Sequence, residues 1–313
     1  MNIITLIPVK NEAWILESTL ENCCRFSDYI IVADQMSTDG SREICKKFPK
    51  VILIDNPGQG HSNSVRWLLL DKAREIEGDN LIFCIDADEI VSPFFFSSGE
   101  FDKVRDTVSP GDSLSFPWIQ LWKSTREYRD DGVWKNSLKE IAFFDDRKAD
   151  YNRTPIINDH TSRIPILSGK KISVTSPLLH LQFASWERTQ IKQAWYRCSE
   201  LVANPENAKK INHKYSPTLD TQVKLTPAPT DWLKGAIVPE LDSFEIAKSW
   251  HYRQIIDWFD QYSIEFFEGL QIWHIEVLHD QFIKRVGREP RVKRYPSWLV
   301  RLNDLKNAII KRT

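Results

Sequence analysis

The run Leu81-Ile82-Phe83-Cys84-Ile85 ends in three acids within four residues, Asp86-Ala87-Asp88-Glu89. Consecutive apolar side chains leave no polar face, which is the pattern of a strand buried on both sides between helix layers, as parallel strands are. Carboxylates at its end then fall at the carboxyl edge of the sheet, where open α/β sheets bind ligands. Two aspartates spaced Asp-x-Asp can share a hard divalent ion such as Mg²⁺ or Mn²⁺. A solvated acidic turn would look the same in isolation, so the residues before it decide.

Those residues alternate strand and helix. Ile3 to Ile7 is a buried strand, stopped by Pro8 and followed by the turn Lys10-Asn11-Glu12. Leu16, Leu20 and Cys24 recur every four residues, a helical stripe. Tyr29 to Ala33 is a second strand, then comes a polar turn from Asp34 to Gly40 and a short helix from Ser41 to Phe48. Val51 to Ile54 is a third strand. Val65, Leu69 and Ala73 mark a helix that leads into the opening strand. This order predicts an α/β fold, a mostly parallel, doubly wound sheet flanked by helices, with right-handed crossovers. All four strands then deliver polar loops to one sheet edge.

Beyond Pro93 the rhythm changes. Ser113 to Phe116 and Glu140 to Phe144 read as strands. After Trp186 the chain reads as helical, with Ile255, Phe259, Phe266, Leu270, Trp273 and Val277 facing a core, and residues 205–230 read as an irregular connection. The expected division is a catalytic domain over 1–200 and a mainly helical region over 201–313. With 313 residues, 42% hydrophobic and 27% charged, the composition is that of a globular protein, and a net charge of -1 excludes a nucleic-acid polycation. The five cysteines form no CxxC pair, which fits a reducing compartment. The N-terminus carries no signal-peptide pattern, so the expected location is cytoplasmic.

The sheet edge lacks the GxGxxG of dinucleotide folds and the GxxxxGK[ST] of P-loops. Three ordered segments instead carry a resemblance: Ile7-Pro8-Val9-Lys10-Asn11-Glu12, Ile31 to Ser41, and Asp86-Ala87-Asp88-Glu89. Together they resemble a family 2 glycosyltransferase with the GT-A fold, of the bacterial cell-surface glycan type. The likeness is tight to about residue 92 and looser to about residue 200. It implies that Pro8, Lys10 and Glu12 line a nucleoside pocket and that Asp34 and Asp39 contact base or ribose. His61, Asn63 and Arg66 would face the donor, and Asp86 and Asp88 would hold metal and diphosphate. The family's second acid after the second strand is Gln35 here. His180 stands where relatives carry a histidine near the metal, although a lone histidine in an apolar strand is also an ordinary core residue. The implied cofactor is Mn²⁺ or Mg²⁺, and the implied donor is a nucleotide-diphosphate sugar, UDP before GDP.

An inverting transfer needs a general base for the acceptor hydroxyl. Related sequences place a His-Glu pair where this chain reads Asn158-Asp159-His160-Thr161, so Asp159 is the first candidate, with Glu140 and Asp145 behind it. Residues 284–313 hold ten basic side chains against two acidic ones, and Trp298, Leu299, Leu302, Leu305 and Ile309 form an apolar stripe. Such a basic amphipathic segment suits either an anionic membrane surface, on the inner face of the plasma membrane, or packing on the acidic remainder of the chain. The membrane reading fits a glycan or lipid-linked saccharide acceptor in polysaccharide or lipopolysaccharide synthesis. The rival readings are a nucleotidyltransferase acting on sugar phosphates and a degenerate, non-catalytic glycan-binding protein.

Overall fold

The computed structural model describes residues 1–58, 62–155, 162–241 and 244–292, together with Leu302. Two compact units emerge. The first comprises Met1–Ile119, Asn136–Leu181 and Ala228–Pro239, and the second Gln120–Lys135, Gln182–Pro227 and Glu240–Thr313.

The first unit is built on a sheet. Strands β1 (Asn2–Val9), β2 (Tyr29–Asp34), β3 (Val51–Asp55) and β4 (Asn80–Cys84) alternate with helices α1 (Ala13–Cys24), α2 (Ser41–Cys45) and α3 (Ser64–Ala73). The four strands are mutually parallel and lie in the order β3-β2-β1-β4. Alternate side chains explain why each run is apolar throughout. Ile30, Val32, Leu81, Phe83 and Ile85 join one core with Leu16 and Leu20 of α1. Ile31, Ala33, Ile82 and Cys84 join another with Val65 and Leu69 of α3. The sequence predicts this part of the fold correctly.

Further strands extend the sheet on the far side of β4. They are β5 (Glu89–Val91), β6 (Ser113–Gln120), β8 (Leu138–Phe144), β9 (Lys171–Ser173) and β10 (Leu178–His180), while β7 (Glu127–Arg129) lies elsewhere. The order continues β4-β8-β6-β10-β5, with β9 also on β6. Strand β8 runs antiparallel to both β4 and β6. Strands β5 and β10 pair antiparallel, placing His180 directly opposite Glu89. The short helices α4 (Phe94–Ser97) and α5 (Glu100–Thr107) follow β5. The Glu100 carboxylate accepts the backbone N–H groups of Thr175 and Ser176 at 2.6 and 3.0 Å, and both hydroxyls, pinning the connection from β9 to β10.

The second unit is mainly helical. Its core runs along α6 (Trp186–Ala203) through Ile191, Ala194, Cys198 and Leu201, the spacing of one helix face. Around it pack residues of α7 (Ala208–Lys214), α8 (Trp250–Tyr262) and α9 (Glu276–Val286). One expectation needs correction. The 205–230 connection contains α7, and it also contains β11 (Leu225–Pro227), which pairs with β7. Ile255, Phe259, Leu270 and Trp273 face this core, with a break after α8 where Ser263 adopts φ 68° and its hydroxyl accepts Glu265 N–H to start a separate 3-10 turn. Arg129 is buried, with its guanidinium 4.1 Å from the Trp134 ring centre and 4.9 Å from that of Trp122, and Asp131 and Asp220 balance its charge. Among the described residues, no helix is long and apolar enough to cross a membrane.

Candidate active site

Strand order reverses between β1 and β4: the chain winds outward from β1 to β3, then returns to the other side of β1. A ligand crevice is expected at such a switch point, outside the carboxyl ends of the strands. The sequence places Lys10-Asn11-Glu12 after β1 and Asp86-Ala87-Asp88 after β4, so both motifs flank it.

On one side, the loops after β1 and β2 brace each other. Asn11 N–H donates to the Ser37 hydroxyl at 2.8 Å, Thr38 N–H to the Asn11 side chain at 2.8 Å, and Glu12 N–H to the Ser41 hydroxyl at 3.0 Å. Asp39 accepts Ala13 N–H at 2.9 Å on one oxygen and the Ser41 hydroxyl at 2.6 Å on the other, so it braces the start of α1. Asn11 and Met36 hold left-handed backbone at φ 53°, and Gly40 sits at φ 98°. The first two are sterically costly for non-glycine residues, a cost found where a site over-determines its loops. Lys10 donates to the Gln35 and Met36 carbonyls, and Glu12 accepts Trp14 Nε1 at 2.6 Å. Gln35 donates its amide to the Gly58 carbonyl. Pro8 pairs only toward β2, opposite Ala33, because the β1–β4 ladder ends at Leu6, so its missing N–H costs nothing there.

Asp34 lies at the end of β2, fully buried. One oxygen accepts Ser37 N–H at 3.0 Å and Arg42 at 2.9 Å. The other is buried without a hydrogen-bond partner. A buried acceptor without a donor costs free energy, and a donor from a bound base or ribose would relieve that cost.

On the other side, the three acids of the motif differ sharply. Glu89 is fully buried and accepts Asp86 N–H at 2.9 Å, Trp118 Nε1 at 2.8 Å and the Arg163 guanidinium through both oxygens. Asp86 is the most open, 34% exposed, and pairs with Arg66 at 2.9 Å and Arg163 at 2.5 Å, one guanidinium on each oxygen. Burial pushes the Asp86 carboxyl up, but Arg163 and Arg66 beside it outweigh that and hold it below the usual carboxylate range. Asp88 lies 3.3 Å from His180 Nε2. The His180 ring stacks on Trp118, centres 5.1 Å apart. The sheet thus brings His180 beside the acidic motif.

Residues 5–97 match the model of the glycosyl transferase family 2. Over this stretch the chain is similar to family 2 glycosyltransferases. The glycosyltransferase match includes Lys10, Glu12, Asp34, Asn63, Arg66, Asp86 and Asp88 and stops short of Trp118, Arg163 and His180. The fold of this part is a Rossmann-like α/β arrangement. No curated protein matches the chain. Among solved structures, S. aureus TarS is 17% identical, with 40% of this chain and 22% of that one covered and a TM-score of 0.27. Glucosyl-3-phosphoglycerate synthase from Mycobacterium tuberculosis, in complex with Mn²⁺, UDP and glucosyl-3-phosphoglycerate, is 17% identical over 38% of this chain and 44% of that one, TM-score 0.28. Mannosyl-3-phosphoglycerate synthase from Rubrobacter xylanophilus is 16% identical over 40% and 41%, TM-score 0.28. The chain spans less than half the length of each of these structures.

The side chains at this edge bear on whether a divalent ion fits there. Among the described residues, no three His, Cys, Asp or Glu side chains cluster to hold a metal by themselves. Mg²⁺ at nucleotide sites is held by one or two protein groups, phosphate oxygens and water. Asp88 and His180 at 3.3 Å supply two such groups, so these residues fit a cation that arrives with a diphosphate. Asp86 has both oxygens engaged by guanidiniums.

The remaining candidates are placed as follows. Asn63, just before α3, donates to the Thr154 carbonyl at 3.2 Å. Glu140 in β8 accepts the Ser113 hydroxyl at 3.0 Å and pairs with Lys171 at 3.0 Å. Asp145 follows β8 at the opposite sheet edge, where its N–H donates to the Asn80 carbonyl and Arg74 holds its carboxylate through two hydrogen bonds. Asp159, with Asn158, His160, Thr161 and His61, lies outside the described residues, as do Trp298, Leu299, Leu305 and Ile309. Within 284–292, Arg285 pairs with Asp260 and Arg288 with Glu268. Sequence reasoning missed Arg163 and Trp118. Neither belongs to a motif or a periodic stripe, and Arg163 lies 77 residues from Asp86 along the chain.

Proposed function

We propose that this glycosyltransferase moves a sugar from a nucleotide-diphosphate donor, a UDP-sugar, to a hydroxyl of a glycan or lipid-linked saccharide, with inversion at the anomeric carbon. The observation that carries this reading is the juxtaposition at the switch point of a buried, partnerless Asp34 oxygen with the Asp88–His180 pair. Asp34 would accept a hydrogen bond from the nucleoside, and Pro8, Lys10 and Glu12 would shape that pocket, with Asp39 holding its loops. Asp88 and His180 would hold Mn²⁺ or Mg²⁺ against the diphosphate, where such an ion stabilises the leaving group's charge. The acceptor oxygen attacks the anomeric carbon as the bond to the diphosphate oxygen breaks. The nucleoside diphosphate departs with the electron pair, and the hydroxyl proton passes to a carboxylate, Asp159 first and Glu140 second. The catalytic part falls within residues 1–200. The 284–313 stretch would hold the enzyme to an anionic membrane surface on the cytoplasmic side, beside a lipid-linked acceptor.

A melting-temperature screen of UDP, GDP, CDP and dTDP, each with and without Mn²⁺, tests the donor, because a ligand that binds only the folded state stabilises it by mass action. One nucleotide should raise the melting temperature. Turnover should release a nucleoside diphosphate. Release of pyrophosphate would replace this reading with that of a nucleotidyltransferase, and no response to any nucleotide would leave a glycan-binding protein.

A further inference from the structure

Arg66 and Arg163 reach the acidic motif from opposite directions in sequence and meet on one carboxylate. Arg66 lies in the first turn of α3 and contacts one oxygen of Asp86, while Arg163 contacts the other. Both guanidiniums are largely buried, at 15% and 10% exposed, and Asp86 between them is the open group. Their charge alters the balance of the edge. Asp86, Asp88 and Glu89 alone would repel a diphosphate and depend on a divalent ion to receive it. Two guanidiniums cancel two of those three charges before any ion arrives. In addition, Arg66 Nη1 is buried without a hydrogen-bond partner, an unused charged donor at the edge where the donor's phosphates are expected. The N-terminal end of α3 lies at the same edge, because the helix follows a parallel strand, and a helix N-terminus favours an anion.

We propose that Arg66 and Arg163 form a protein-borne cationic seat for the donor diphosphate, so that nucleoside diphosphate binds without a divalent ion and the ion adds to an affinity already present. Asp86 is then the strut that holds the two guanidiniums apart and in place, and Asp88 with His180 is the ion's side of the site. Planar guanidiniums suit this task because they donate paired hydrogen bonds to phosphate oxygens. Glu89 and Trp118 fix Arg163 from behind. Its own carbonyl accepts the Tyr151 hydroxyl at 2.8 Å, which anchors the backbone that carries it.

The proposal rests on the donor reading above, and one titration separates the two. UDP binding is measured by calorimetry on the full chain, in Mn²⁺ and in EDTA, for the native protein, Arg66→Gln, Arg163→Gln and Arg163→Lys. The native protein should bind UDP in EDTA within about 100-fold of its affinity in Mn²⁺. Arg66→Gln and Arg163→Gln should each lower the EDTA affinity about tenfold, the size of one charged hydrogen bond, and Arg163→Lys should recover part of it. Among the described residues, Arg66 forms no hydrogen bond or ion pair with Glu89, so Arg66→Gln remains decisive if Arg163→Gln fails to fold. Tight binding in Mn²⁺ with none in EDTA would overturn the seat while leaving the donor reading standing, as would unchanged EDTA affinity in Arg66→Gln. No UDP, GDP, CDP or dTDP binding in either condition would overturn the donor reading itself.

Discussion

Glu89→Gln tests whether the buried carboxylate is the keystone of the acidic motif. Glu89 is fully buried and serves Asp86 N–H, Trp118 Nε1 and Arg163 at once. The substitution keeps the shape, removes the charge and turns an amide N–H toward donors. Breaking one partner of a buried ion pair costs about 3–5 kcal/mol. Arg163 keeps Asp86, which places the expected loss near the lower end, about 3 kcal/mol. For a chain of this length that corresponds to roughly 6 °C in melting temperature. Urea unfolding followed by tryptophan fluorescence reads the change. The double variant Glu89→Gln/Arg163→Met removes the stranded cation as well, so the two losses should fall short of additivity by at least about 1.5 kcal/mol. A single-variant loss below about 0.5 kcal/mol, or additive losses, would refute the reasoning.

Asp88→Asn and His180→Asn should each weaken UDP binding in Mn²⁺ by about tenfold or more while leaving binding in EDTA nearly unchanged; equal losses in both conditions would remove these residues from the ion's side of the site. Gly169→Ala should destabilise the first unit by more than about 2 kcal/mol, because a Cβ there would lie 2.3 Å from the Gly111 carbonyl oxygen; an unchanged unfolding midpoint contradicts it. Arg288 beside Glu268 lowers that carboxyl to about 2. A depressed carboxyl stabilises above its ordinary pKa and loses that contribution as pH falls toward 2. Glu268→Gln should therefore cost a few tenths of a kcal/mol at pH 7, small because the pair is near solvent, and nothing at pH 2; a difference that persists at pH 2 rules this out.

The parallel half of the sheet is legible in the sequence because its strands are buried on both faces. Such strands read as unbroken apolar runs, and turn residues separate them. The acids at the end of β4 are legible for the same reason, since an apolar run that stops abruptly marks a sheet edge. The partners of those acids are not legible. Arg163 lies in an irregular segment with no period, and its place is set by Glu89 and Trp118, residues brought together only by the mixed half of the sheet. Asp39 resembles a ligand residue in its motif, yet its oxygens are used to tie two loops, a distinction that only hydrogen-bond geometry makes. Across 205–230, Pro217, Pro227 and Pro229 suggest an irregular connection, but α7 forms ahead of all three.

The pairing of β5 with β10 carries a constraint on how this chain can vary. Side chains alternate faces along a strand, so the loss or gain of one residue between Ser173 and Leu178 would turn His180 away from Asp88 and bring Leu181 or Leu179 toward it. Glu100 clamps that connection at Thr175 and Ser176 and prevents slack from being absorbed. Single-residue deletions there should be far more damaging than substitutions at the same positions. The connection therefore acts as a ruler whose length, more than its chemistry, keeps the histidine in the site.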